Sequence, residues 1–113
     1  MRAEAFLVLF SLAFLGCASA FTSAKDDLRS GDAASARVRL VALEPDVASW
    51  SENDRAEYAL ERGLTHLSLG DRDAAATWLT KADEMVRANP GTLSEQNRMR
   101  LRVGRETVSF PKP

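Results

Sequence analysis

One histidine, one cysteine and three carboxylate pairs are the residues of this chain that could do chemistry. His66 could act as a general base or a metal ligand, but it is the only histidine, and Cys17 is the only cysteine. A zinc site wants about four Cys, His or acidic ligands, which these two residues do not supply. Nucleophilic catalysis wants a thiol beside a base, and Cys17 has no histidine near it in sequence. The pairs Asp26-Asp27, Asp71-Asp73 and Asp83-Glu84 could share a proton in acid-base work. That requires a pocket and a raised pKa, which no pattern here supplies. Acids at a helix start are instead explained by the helix dipole, and acids on an outer face by solvation. No glycine-rich phosphate loop follows a strand pattern. The sequence therefore points away from catalysis and calls for no cofactor or metal.

Composition narrows the classes further. The 113 residues carry a net charge of -1 and a pI near 5.8, which gives no electrostatic case for nucleic acid. Ala, Leu, Arg, Glu and Asp dominate and Ile is absent, a mixture that favours helix over sheet. Length limits the chain to one small domain of modest stability.

The amino terminus reads as a targeting segment. Met1-Arg2-Ala3-Glu4 precedes an uncharged run from Ala5 to Ala24, densest in apolar residues between Ala5 and Leu15. A basic start, a short apolar centre and then small residues follow the grammar of a secretory signal peptide. Two cleavage readings stand side by side. Ala18-Ser19-Ala20 fits a small-x-small site, making residues 1–20 the signal and releasing a soluble protein that begins at Phe21. Phe14-Leu15-Gly16-Cys17 resembles the lipobox of bacterial lipoproteins, with Phe14 where Leu is usual. That resemblance implies a signal of residues 1–16, diacylation of Cys17 and an outer-membrane lipoprotein facing the periplasm. A lone cysteine in an exported protein cannot form an internal disulfide, so lipidation gives it a role.

The rest of the chain reads as five helices. The first is expected from about Ala18 to Ser30, ending at Gly31. Asp32 caps the second, which Pro45 should stop, leaving Pro45 to Trp50 as a linker. Ser51 with Asp54 opens the third, closed at Leu69 by a left-handed Gly70. Asp71 caps the fourth, which stops before Asn89-Pro90-Gly91. Thr92 with Glu95 opens the fifth, expected to reach about Thr107, and residues 108–113 read as an extended tail. Internal repetition is visible: Gly31-Asp32 recurs as Gly70-Asp71, and Ser51-Glu52-Asn53-Asp54-Arg55 as Ser94-Glu95-Gln96-Asn97-Arg98. Such recurrence marks stacked helical hairpins.

At Gly63, Gly70-Asp71, Ala75, Leu79 and Ala82 the chain resembles tetratricopeptide repeat (TPR) proteins. Gly31-Asp32, Ala36 and Leu40 form a weaker upstream copy in which Ala24 stands at the glycine position. Departures are Ala59, Arg62 and His66, where the family has Trp, Leu and Tyr. The resemblance implies an all-α fold, a short right-handed superhelix of about two hairpins plus a capping helix over residues 17–107. It also implies a groove for a protein or peptide partner, lined on the third helix by Glu57, Leu60, Glu61, Leu64, Leu67 and Ser68. Glu57 and Glu61 are expected to be exposed, and His66 to pack in the core. Arg98, Arg102 and Arg105 share one face of the fifth helix, as a solubilising cap or as a patch for an acidic partner. The function expected is an interaction module of the bacterial envelope, a scaffold or assembly factor; a soluble periplasmic or secreted helical protein is the alternative.

Overall fold

The computed structural model describes residues 18–110. The signal segment, the lipidation site Cys17 and the last three residues of the tail lie outside the described residues. Within them the chain is all-α: α1 (18–29), α2 (Ala33–Val47), α3 (Glu52–Ser68), α4 (Arg72–Ala88) and α5 (Glu95–Ser109), with a 3-10 turn at Pro90–Thr92. The helices pack as adjacent antiparallel pairs, and among α2 to α5 the pairing of α3 with α4 is the most extensive.

Local sequence explains most of the boundaries. Gly31 and Gly70 adopt φ of 87° and 79°, a left-handed conformation that glycine takes at little cost. Around each the amides close the same two bonds. The Asp32 amide donates to the Asp27 carbonyl and the Gly31 amide to Leu28. The Asp71 amide donates to His66 and the Gly70 amide to Leu67. This paired pattern satisfies carbonyls that a helix end leaves open. The aspartate after each glycine then caps the next helix, Asp32 accepting from the Ser35 amide and Asp71 from Ala74. Ser51 and Ser94 cap α3 and α5 in the same way, accepting from Asp54 and Asn97.

Three boundaries differ from the sequence reading. The cap of α5 is Ser94 and not Thr92, because Thr92 closes the 3-10 turn and its hydroxyl donates back to the Asn89 carbonyl. Helix α2 runs through Pro45 to Val47. Proline forfeits the bond to the carbonyl four residues back, here Val41, and both residues are exposed, so water can take the place of the missing amide. The linker shrinks to a turn in which Ser49 and Trp50 bond back to Asp46 and Val47. Helix α5 extends to Ser109 because Arg72 of α4 donates to the carbonyls of Thr107, Val108 and Phe110. A cation on open carbonyls also complements the helix dipole.

Two apolar clusters hold the pairs together. One gathers Ala56, Ala59, Leu60, Leu79, Ala82, Leu93 and Leu101. The other gathers Phe21, Ala24, Leu40, Leu43 and Tyr58. Trp78 packs against both. Its ring meets Tyr58 edge-on at 5.7 Å, and Tyr58 meets Trp50 in the same fashion at the same distance. Such aromatic pairs add about 0.5–1.5 kcal/mol each beyond area burial.

Candidate functional site

Small residues bring α3 and α4 together. A Cβ placed on Gly63 would stand 2.5 Å from Leu79 Cδ2 and 3.2 Å from the Leu79 amide nitrogen. Ala75 and Ala82 are fully buried on the facing helix. Gly104 plays a similar part on α5, where a Cβ would reach 2.9 Å from Leu64 Cδ2.

The expected groove residues of α3 lie in the following places. Leu60 is 0% exposed in the core and Glu61 is 2% exposed. Glu57 is half-buried and accepts from Lys25 Nζ of α1 at 3.0 Å. Leu64 and Leu67 are half-buried and Ser68 is exposed. Neighbouring helices therefore cover the first half of this row, and the second half remains partly open. Glu61 is held by both terminal nitrogens of Arg100 on α5, at 2.8 and 3.3 Å. The expectation that Glu57 and Glu61 project freely into solvent is thus corrected. Their cationic partners come from α1 and α5, distant in sequence.

A polar cluster sits between α2, α3 and α4. Arg62, 7% exposed, lies over the Trp78 ring at 4.5 Å to the centroid. It donates to Glu44 at 3.2 Å and to the Tyr58 hydroxyl at 3.0 Å. The Tyr58 hydroxyl donates in turn to the Leu40 carbonyl at 2.5 Å. His66 Nε2 stands 3.4 Å from Arg62 Nη2. Burial pushes the Tyr58 pKa above its ordinary value, against the opposing pull of Arg62. Burial, reinforced by Arg62, pushes the His66 pKa below its ordinary value. The sequence reading of His66 as a core residue matches its 8% exposure, although its surroundings are polar on one side. Arg62 and its stacking on Trp78 do not follow from the sequence reading; the available signal was an arginine one turn before His66 on a helix face that is otherwise buried. Among the described residues no group of three or more His, Cys, Asp or Glu is placed to hold a metal ion.

The arginines of α5 divide by environment. Arg100 turns inward to Glu61, and Arg105 binds Asp83 of α4 at 2.8 Å. Arg98 and Arg102 are exposed and have no ion-pair partner among the described residues. They border an open recess of about 610 Å³ between α4 and α5, with Val86, Leu101 and Phe110 among its lining. No protein-family model, curated protein or solved structure matches the chain.

Proposed function

We propose that this protein is an interaction module of the bacterial envelope, a small TPR-like scaffold or assembly factor that binds protein and performs no catalysis. The observation that supports this most is the pair of Gly-Asp turns, which close two helical hairpins with the same hydrogen bonds and caps. Repeated hairpins of this kind are building units of short superhelices, and their conserved asset is surface rather than a reacting centre. Anchoring is through Cys17, acylated after signal cleavage at Gly16, with the domain facing the periplasm from the outer membrane.

A second reading is the soluble periplasmic or secreted form cut after Ala20. It is favoured by Phe21, buried against Trp50 at 5.3 Å and Tyr58 at 6.1 Å, which lets a chain that starts there keep its core. Intact mass and membrane fractionation of wild type and Cys17→Ser separate the two. Acylated wild type that leaves the membrane on Cys17→Ser supports the anchor, and an unmodified chain beginning at Phe21 sinks it. The interaction role is tested by photo-crosslinking in intact cells from surface positions of α3 and α5. A chain that crosslinks to no other protein from any position would refute it.

A further inference from the structure

Helices α1 with α2 and α3 with α4 form pairs joined by Gly-Asp turns, whereas α5 packs on α3 and α4 and has no such pair among the described residues. Beside it lies the α4/α5 recess, floored by buried Leu101 and half-buried Val86, with exposed Phe110 at one end. We propose that this recess docks an amphipathic helix from a partner protein, with apolar residues on one face and acids along its flank. The inference rests on the interaction-module reading above and names the surface and the partner chemistry.

The chain's own helix contacts supply the template. Lys25 of α1 meets Glu57 of α3, Glu61 of α3 meets Arg100 of α5, and Glu44 of α2 meets Arg62 of α3. Each of these three contacts sets an acid on one helix against a cation on the other, whereas the α3/α4 crossing is made by small and apolar residues. At the recess the cations are already in place. Arg98 and Arg102 are one turn apart on the rim, while Arg105 is held by Asp83, which Arg87 also binds at 2.8 Å. Two exposed guanidinium groups without carboxylates favour a partner that brings carboxylates, because arginine pairs them in two-pronged geometry. Glu106 also lines the recess. That acid disfavours an anionic lipid surface and suits a polypeptide of mixed charge. A helix lying in the recess would span about three turns, roughly 16 Å, from Arg98 to Ser109.

The test uses two synthetic helix-forming peptides that share one leucine stripe and differ in their flank, one bearing Glu and one Lys. Binding to the full chain is read by fluorescence anisotropy. The Glu peptide should bind at least about tenfold tighter than the Lys peptide, and Arg98→Glu with Arg102→Glu should invert that preference. Both arginines are exposed and unpaired, so circular dichroism should match wild type. Three results overturn the proposal. The first is equal affinity, or none, for the two peptides. The second is a wild-type dimer in sedimentation that the double reversal converts to monomer, which assigns the recess to a second copy. The third is a loss of binding to anionic phosphatidylglycerol vesicles on the same reversal, which assigns it to lipid. Each leaves the interaction-module reading standing, since that reading falls only with the crosslinking result.

Discussion

The two Gly-Asp turns make the same hydrogen bonds and carry the same aspartate cap, yet the hairpins they close bury different materials. In α3/α4 a glycine, two alanines and Leu79 allow backbone to approach backbone. In α1/α2 the buried apolar residues are Phe21, Ala24, Ala33, Ala36, Leu40 and Leu43, completed by Tyr58 from α3. The outer face of α2 leaves Val38 67% and Val41 47% exposed, and Pro45 interrupts its bonding ladder. A turn fixes how a hairpin reverses. The residues at the crossing fix how its helices pack, and the same turn serves both a pair crossing at a glycine and a pair packed on aromatic rings. Overpacking should cost most in α3/α4, where no space remains.

The strongest way to break the comparison is at that crossing. Ala75 is fully buried, and Ala75→Leu adds three carbons where the facing helix is already in contact. The expected loss is about 3 kcal/mol, the upper part of the range for overpacked cores. In a domain this small that should lower the melting temperature by 10 °C or more, at about 4–8 °C per kcal/mol. Val38→Leu on the exposed face of α2 should leave it nearly unchanged. Equal melting shifts in the two variants would show that the hairpins are packed alike.

Next in size is the ion pair that ties the tight hairpin to α5. Glu61→Ala removes two of the three side-chain acceptors of Arg100 and leaves only Asn97 Oδ1. Breaking a fully buried pair costs about 3–5 kcal/mol, but the Arg100 side chain is 30% exposed, so water recovers part of that and about 2 kcal/mol is expected. Glu61→Leu with Arg100→Met should restore most of the loss, since it leaves no unpaired charge behind. The check is chemical denaturation of the single and double variants. A double variant no more stable than Glu61→Ala would mean that packing rather than charge is what the pair contributes.

The sizes of these effects follow what could be read along the chain. The two turns and the caps Asp32, Ser51 and Asp71 were legible because their causes are local: a glycine free to take positive φ, an aspartate one residue on, a serine three residues before the amide it accepts from. The end of α2 was not legible, because the cost of Pro45 depends on whether the Val41 carbonyl can reach water. That is a property of the packed molecule. The same limit applies to the proposed groove. The spacing of Glu57 and Glu61 placed them on one face of α3, but Lys25 and Arg100, which occupy that face, sit more than thirty residues away. Helical spacing sets Arg100 apart from Arg98, Arg102 and Arg105, and only the fold separates Arg105, which holds Asp83, from Arg98 and Arg102. Thr92, read as the cap of the fifth helix, instead closes the 3-10 turn and is buried with Leu93, because burial there depends on packing that the Pro-Gly signal does not report.

A smaller effect tests whether the turns are as equivalent as their hydrogen bonds. Neither glycine has any atom within 4 Å of an added Cβ, so Gly31→Ala and Gly70→Ala should each cost only the left-handed strain. That is about 1–2 kcal/mol, and thermal melts of the two variants should agree within about 0.5 kcal/mol. A much larger loss at Gly70 would mean that the turn itself, as well as the crossing, is specialised in the tight hairpin.

The smallest effect expected is the pH response of the cluster where the two hairpins meet. His66 is held below its ordinary pKa of 6.5 first by burial and then by Arg62, with Arg37 acting in the same direction and Asp71 against it. The folded state therefore binds the proton less readily than the unfolded chain. Its contribution is complete above about pH 6.5 and is lost as pH falls from there through the lower, folded value; below that it changes no further. Asp32 acts in a separate window. The Ser35 hydrogen bonds hold its carboxyl below its ordinary value of 3.8, so its contribution is complete above that pH and fades only in stronger acid. Denaturation midpoints from pH 7.5 to 5 should fall for wild type and flatten for His66→Gln, while Asp32→Asn should keep the wild-type slope. Because His66 is the only histidine, a slope that survives His66→Gln would have to come from carboxylates. It would show that the proton repelled by Arg62 does not weigh on the junction between the hairpins.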